Sequence, residues 1–169
     1  MKLFSTIQAL KSPFDDHLNS KAIYPFFRDA LQTPLSQEQL TPSQVQYAIF
    51  NYLPSWVNWL MIVRNKLVRF LGFEVGQTSM APTSDELAIG DKAGFLTIIE
   101  KSDNEIISQA DDKHMTFYLS VKKQNNTVII SSLVNQKTCI GRIYVNAIQP
   151  FHYFIARIVI HNAIKAKRI

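Results

Sequence analysis

Four runs of β-prone residues, 95–101, 105–110, 115–122 and 127–134, follow one another with only short polar links between them. The links are Ser102-Asp103-Asn104, Asp111-Asp112-Lys113 and Gln124-Asn125-Asn126. Joining parallel strands takes a crossover of about a dozen residues or more, so links this short predict hairpins and an antiparallel meander. Alternation then gives each strand two faces. In the third run Met115, Phe117, Leu119 and Val121 share one face, predicted to meet the core. His114, Thr116, Tyr118 and Ser120 share the other, predicted to be wetter.

A sheet with one apolar face must cover it. The chain closes on a segment suited to that task, from about residue 140 to 167. Its Ile143, Ala147, Ile148, Phe151, Phe154, Ile155, Ile158, Val159, Asn162 and Ala163 recur at helical spacing. Pro150 inside it predicts a kink or a break.

Upstream, the aromatic-rich run 24–31 predicts a first strand, and its Pro25 points to an edge position or a strand start. Thr41 suits a helix N-cap, with Pro42 at the first helical position. Val45, Ala48, Ile49 and Tyr52 then keep a helical period until Pro54. Trp56, Val57, Leu60, Met61, Val63, Arg64, Leu67, Val68 and Leu71 repeat near 3.6, and Gly72 fits the residue that ends a helix. Two helices, 42–53 and 54–71, bent at Pro54, are expected. Residues 74–93 read as loop, and residues 1–22 as a less regular segment. The expected fold class is α+β, with a curved antiparallel β-sheet packed around a long C-terminal helix and two helices after the first strand.

Length and composition set the bounds on function. A chain of 169 residues is of ordinary size for one domain, expected to span 1–169. With 47% hydrophobic and only 18% charged residues, it is not a disordered segment. The net charge of +5 permits nucleic acid or anionic lipid as a partner. Part of that charge, Lys165, Lys167 and Arg168, is explained by the dipole at a helix C-terminus, and the other basic residues are scattered singly. No nucleic-acid partner is therefore expected. The single cysteine, Cys139, rules out an intramolecular disulfide and a cysteine metal cluster, and reads as a small core residue. The first eleven residues lack the long apolar stretch of a secretory signal, and no apolar run reaches the ~18 residues of a membrane span. A cytoplasmic location is expected.

The local words are more specific than the layout. Leu53-Pro-Ser-Trp-Val-Asn-Trp-Leu-Met-Ile-Val-Arg-Asn-Lys-Leu-Val-Arg-Phe-Leu-Gly72 resembles the P-x-W…L…R-N…L-V…G stretch of a bacterial family known as domain of unknown function 2867. Asp112-Lys-His-Met-Thr-Phe117 resembles its D-x-H-L-x-F strand, with Met115 where Leu is usual. Gly141-Arg-Ile-Tyr144 and Gln149-Pro-Phe-His152 resemble its G-R-x-Y…P-F-H ending. Gln136 stands where the family often has a His-Asn pair. The resemblance covers roughly residues 24–165. It implies a START-like, helix-grip fold and no particular activity.

The polar residues of those words, Arg64, Asn65, His114, Arg142, Tyr144 and, further on, His152, are the site candidates. Pockets are mostly apolar with a few placed polar groups, and Arg64 or Arg142 has the planar fork to hold a ligand carboxylate or phosphate. The competing reading is structural, with Arg64 and Asn65 satisfying loop carbonyls and helix ends and Arg142 pairing with Asp111 or Asp112. His114 has the chemistry of a general base, but its strand phase sets it opposite Met115 and Phe117, so a structural role is favoured. His152 and His161 read as surface or capping residues. Trp56 and Trp59 are three apart, suited to a pocket entrance or a partner surface, although core packing is favoured. His17 with Asp15 and Asp16 reads as a flexible N-terminal loop. No metal spacing, G-x-G phosphate loop or G-x-S-x-G elbow is present, so no cofactor, metal or catalytic residue is assigned.

The leading expectation is a binding module for a small hydrophobic or amphipathic ligand, with Trp56, Arg64, Asn65, His114, Arg142 and Tyr144 as ligand-binding residues. An isomerase or cyclase using a cavity His or Tyr is the alternative. A structural or protein-interaction domain whose pocket is filled by its own side chains is the third.

Overall fold

A computed structural model describes residues 4–11, 15–70, 72–73 and 80–169, without the side chain of Leu67. Leu71, the 74–79 part of the expected loop and parts of the segment 1–22 lie outside the described residues.

In chain order the elements are β1 (Gln8–Ala9), a 3-10 helix (His17–Lys21), β2 (Phe26–Pro34), α1 (Pro42–Phe50) and α2 (Ser55–Phe70). Then come β3 (Lys92–Ala93), β4 (Leu96–Lys101), β5 (Glu105–Asp111), β6 (Met115–Gln124), β7 (Thr127–Gln136) and α3 (Cys139–Lys165). All strands pair antiparallel in one sheet of order β1-β2-β7-β6-β5-β4-β3. The meander from β4 to β7 is the expected one. β2 starts just after Pro25, as the proline requires, but it lies inside the sheet, between β1 and β7, rather than at an edge.

Local chemistry fixes the helices. Thr41 and Gln44 form a reciprocal capping box, with Gln44 N donating to Thr41 Oγ1 at 3.2 Å and Thr41 N to Gln44 Oε1 at 3.0 Å. At the end of α2, Gly72 takes φ +83° and Phe73 N donates to Val68 O at 3.1 Å, a Schellman closure. Thr138 caps α3 by accepting from Gly141 N at 3.1 Å. α3 runs through Pro150 without a break.

The concave face of the sheet carries the main core. Leu31, Leu96, Ile98, Ile106, Leu119, Val121 and Ile130 meet Val45 and Ile49 of α1 and Val159, Ile160 and Ala163 of α3. Among described residues, no helix is long and apolar enough to cross a membrane.

Several sequence expectations need correction. The other face of β6 is not wet: Thr116 and Ser120 are buried. The segment around the 3-10 helix covers that face, with Leu18 packed on Ile107 and Leu133. The His17 cluster is accordingly no loose loop. Asp16 caps the 3-10 helix and pairs with Arg28, and His17 N donates to the buried Glu105 carboxylate, which also accepts from Ser120 Oγ at 2.6 Å. Cys139 is exposed, because it sits in the first turn of α3 ahead of the first inward position, Gly141.

The sequence predicts one apolar stripe on the last helix and a core position for the tryptophans of α2, and the structure differs on both. On α3, Ile148, Ile155, Val159 and Ala163 turn inward, while Ile143, Ala147, Phe151 and Phe154 form a second line that faces solvent. On α2, Trp56 and Trp59 are exposed, at 42% and 61%, instead of packed in the core. The inward side of α2 is supplied by Val57, Asn65 and Val68.

Candidate functional site

α2, α3 and the concave face of the sheet do not close on one another. They enclose a cavity of about 710 Å³. Its body is apolar, with Leu119 and Ile130 from the sheet, Val57 and Met61 from α2, and Ile148 and Val159 from α3. Two polar clusters interrupt this lining.

The first cluster joins α2 to α3. Arg64 Nε donates to Tyr144 Oη at 2.6 Å, and its guanidinium lies 5.3 Å from the centre of the Tyr144 ring. Arg64 Nη1 donates to Asn65 Oδ1 at 2.9 Å. The Tyr144 ring packs on Phe73 at 5.0 Å between centroids, and Phe73 packs on His114 at 4.6 Å. Asp111 and Asp112 also line this cavity. Asp111 is held below the usual carboxylate range, first by the hydrogen bond from Lys137 and then by that from Thr116.

The second cluster lies under α3. β2 and β7 set Asp29 opposite Ser132, and His152 reaches down from the helix to both. His152 Nε2 is 3.6 Å from Asp29 Oδ2 and 3.4 Å from Ser132 Oγ. Ser132 and His152 line the cavity. Next to them, burial pushes the Tyr153 phenol up, the Asp29 charge pushes the same way, and Arg157 opposes.

Of the residues singled out in the sequence, Arg64 and Tyr144 line the cavity and touch each other. Asn65 is buried behind Arg64 and His114 is buried behind Phe73; neither lines the cavity. His114 Nδ1 meets Thr138 Oγ1 at 2.9 Å, its N–H donates to Asp112 Oδ1 at 2.8 Å, and its Nε2 has no hydrogen-bond partner among the described residues. Trp56 lies on the solvent side of α2, and Arg142 is exposed on α3. Of the two expected partners of Arg142, Asp111 and Asp112, the first is paired with Lys137 at 2.7 Å.

His152, expected as a surface or capping residue, lines the cavity instead, and it meets Ser132 and Asp29, neither of them singled out in the sequence. Each carries a legible signal. Asp29 alternates with Phe27 and Leu31, Ser132 alternates with Ile130 and Val134, and His152 follows Ile148 by one helical turn. Three polar residues thus stand on apolar phases. Among the described residues, no group of three or more His, Cys, Asp or Glu is placed to hold a metal ion.

The family model described as "Protein of unknown function (DUF2867)" matches residues 25–159. The chain belongs to this family. No curated protein and no solved structure matches the chain. All the words that carry the DUF2867 resemblance fall inside the matched range, and in space they meet: Arg64 with Tyr144, His114 with the start of α3, and His152 with the cavity.

Proposed function

We propose that this DUF2867 protein is a binding module of START-like, helix-grip type, whose cavity takes a small hydrophobic or amphipathic molecule. The observation that carries this reading is the cavity itself. At about 710 Å³ it falls in the size range of small-molecule sites, and it has the usual makeup of an apolar body with a few polar groups. The apolar part of the ligand rests against Leu119, Ile130 and Val159. Its polar head is oriented by Arg64 and Tyr144, the charged end of the lining. Affinity comes mainly from apolar burial, at about 25 cal/mol per Å² before ordering costs are subtracted.

A second reading, an isomerase or cyclase, rests on His152. This imidazole lines the cavity with a buried carboxylate, Asp29, at 3.6 Å, an arrangement suited to moving a proton on a bound molecule.

Native mass spectrometry of the purified protein, joined to thermal-shift measurements across fatty acids, sterols and aromatic acids, tests the binding reading. A retained adduct, or a ligand that raises the melting temperature, supports it. The absence of both an adduct and a shift across the panel removes it. Turnover of a bound compound that is lost on His152→Ala, with binding retained, selects the enzyme.

A further inference from the structure

The helices that line the cavity carry a second apolar surface on their outer sides. On α2 it is Trp56, Trp59 and Ile62, at 42%, 61% and 48% exposure. On α3 it is Ile140, Ile143, Phe151 and Phe154, at 42%, 70%, 64% and 55%. Their positions 140, 143, 151 and 154, with Ala147 between, follow one line along the helix. The Arg64–Tyr144 hydrogen bond links the two helices.

The charges carried by the two helices have one sign. The chain has 13 acidic residues, and neither α2 nor α3 contains one. The same helices carry Arg64, Lys66, Arg69, Arg142, Arg157 and Lys165. Lys66 and Arg69 continue the Trp59–Ile62 line of α2, and Arg142 stands beside Ile143. Among the described residues, the carboxylates that line the cavity are Asp111 and Asp112, and Asp111 is paired with Lys137.

We infer that the outer faces of α2 and α3 dock on the surface of an anionic phospholipid bilayer. An exposed apolar line on helices whose charged residues are all basic is the composition of helices that lie in the membrane interface, and tryptophan favours that layer. A negative lipid surface complements the cations. A second copy of the chain would bring an equally cationic face against this one, which disfavours self-association. Nucleic acid would leave Ile62, Ile143 and Phe154 without a counterpart. Among the described residues no helix is suited to cross the bilayer, so contact is from one side. The inference goes beyond the cavity reading and does not need the cavity to be occupied.

The two tryptophans of the chain are both in this surface, so intrinsic emission reports on it directly. The test is titration of the protein with vesicles of phosphatidylcholine alone and with phosphatidylglycerol added, read by tryptophan emission and co-sedimentation. A blue shift and co-sedimentation confined to the anionic vesicles, and weakened by salt, are expected. The paired substitution Arg69→Glu and Arg142→Glu, both at exposed sites, should weaken vesicle binding at least about tenfold. Phe151→Ser with Phe154→Ser should abolish the co-sedimentation while the thermal melt stays cooperative. Ala156→Phe, which narrows the cavity from α3, should leave vesicle binding unchanged, and this separates the surface from the ligand reading. Absence of binding to anionic vesicles, or equal binding to neutral ones, overturns the inference. So does a stable dimer whose tryptophan emission is already blue-shifted and ignores vesicles, or duplex DNA that displaces the protein from the vesicles.

Discussion

Gly141 packs against the backbone of His114. A Cβ at Gly141 would sit closer than 3.0 Å to the His114 carbonyl oxygen and 3.1 Å from its carbon. The first turn of α3 therefore rests directly on the entry of β6. The contact is locked on both sides, because the carbonyl of His114 accepts from Lys137 N at 2.9 Å and its imidazole meets the helix cap Thr138.

Gly141→Ala tests this contact. Alanine is a better helix former than glycine by about 1 kcal/mol, so an unconstrained helical site would gain stability. Here the obstacle is backbone that is itself hydrogen-bonded, and the overpacking cost should prevail, for a net loss of about 2 kcal/mol. Urea denaturation gives the value. A stability equal to or above wild type would show that α3 shifts freely off β6.

Tyr144→Phe removes the acceptor of the Arg64 bond without changing the ring that packs on Phe73. Hydrogen bonds to charged groups contribute about 1.5–3 kcal/mol, and partial exposure of this pair puts the expected loss at about 1.5 kcal/mol. A double-mutant cycle with Arg64→Met should return a coupling of about 1 kcal/mol. Zero coupling would mean that α2 is held against α3 by apolar contacts alone.

Arg28 and Asp16 form an ion pair on the covered convex face, with side chains 7% and 0% exposed. Arg28→Met leaves the Asp16 carboxylate buried without its partner and should cost about 3 kcal/mol. Adding Asp16→Asn removes the charge and keeps an acceptor for Leu18 N, which Asp16 Oδ1 meets at 3.1 Å. The double variant should recover much of the loss in chemical denaturation. If Arg28→Met is neutral, the 3-10 helix does not seal that face.

Asp111 sets an acid limit. Its folded pKa lies below the ordinary 3.8, with the Lys137 bond as the largest cause. A depressed carboxylate contributes stability that is present above the unfolded value and lost as pH falls through the folded value. Lys137→Met should move the Asp111 titration, followed by carboxyl NMR, up toward 3.8, and it should shrink the stability lost between neutral pH and strongly acid pH. An unmoved titration would assign the shift to Thr116 instead.

The parts of the fold that were legible are those where one physical pattern acts alone. The meander from β4 to β7 follows from alternation and short links, and α1 from Thr41 and Pro42. The 3-10 helix and the two-residue β1 have no period to detect. The segment that covers the convex face is itself polar, so Thr116 and Ser120 look like surface residues although they are buried. α2 is apolar on several sides, and its sequence does not say which side packs. That is why Trp56 and Trp59 could be assigned to the core. At the site, Arg64 and Tyr144 were marked by the family words. His152 stands in the same words but reads as a surface or capping residue beside Pro150, and only the uninterrupted helix shows that it turns inward one turn after Ile148.

Ala156 gives the most direct test of the cavity. It lines the cavity from α3, between Ile148 and Val159, on a helix whose backbone is regular there. Ala156→Phe places a ring in the space between α3 and the sheet. In a tightly packed core such a change costs about 1–3 kcal/mol through overpacking. In a cavity of about 710 Å³ the ring has room, and it gains apolar burial worth about 2 kcal/mol. Stability should therefore hold or rise, while uptake of a fluorescent fatty-acid probe falls at least about tenfold because the ring takes the volume that the probe needs. Destabilisation together with unchanged probe uptake would place the probe elsewhere and make the space too tight for a ligand. The combination measured, stability against uptake, distinguishes a binding cavity from a packing defect, since filling a defect stabilises without removing any binding.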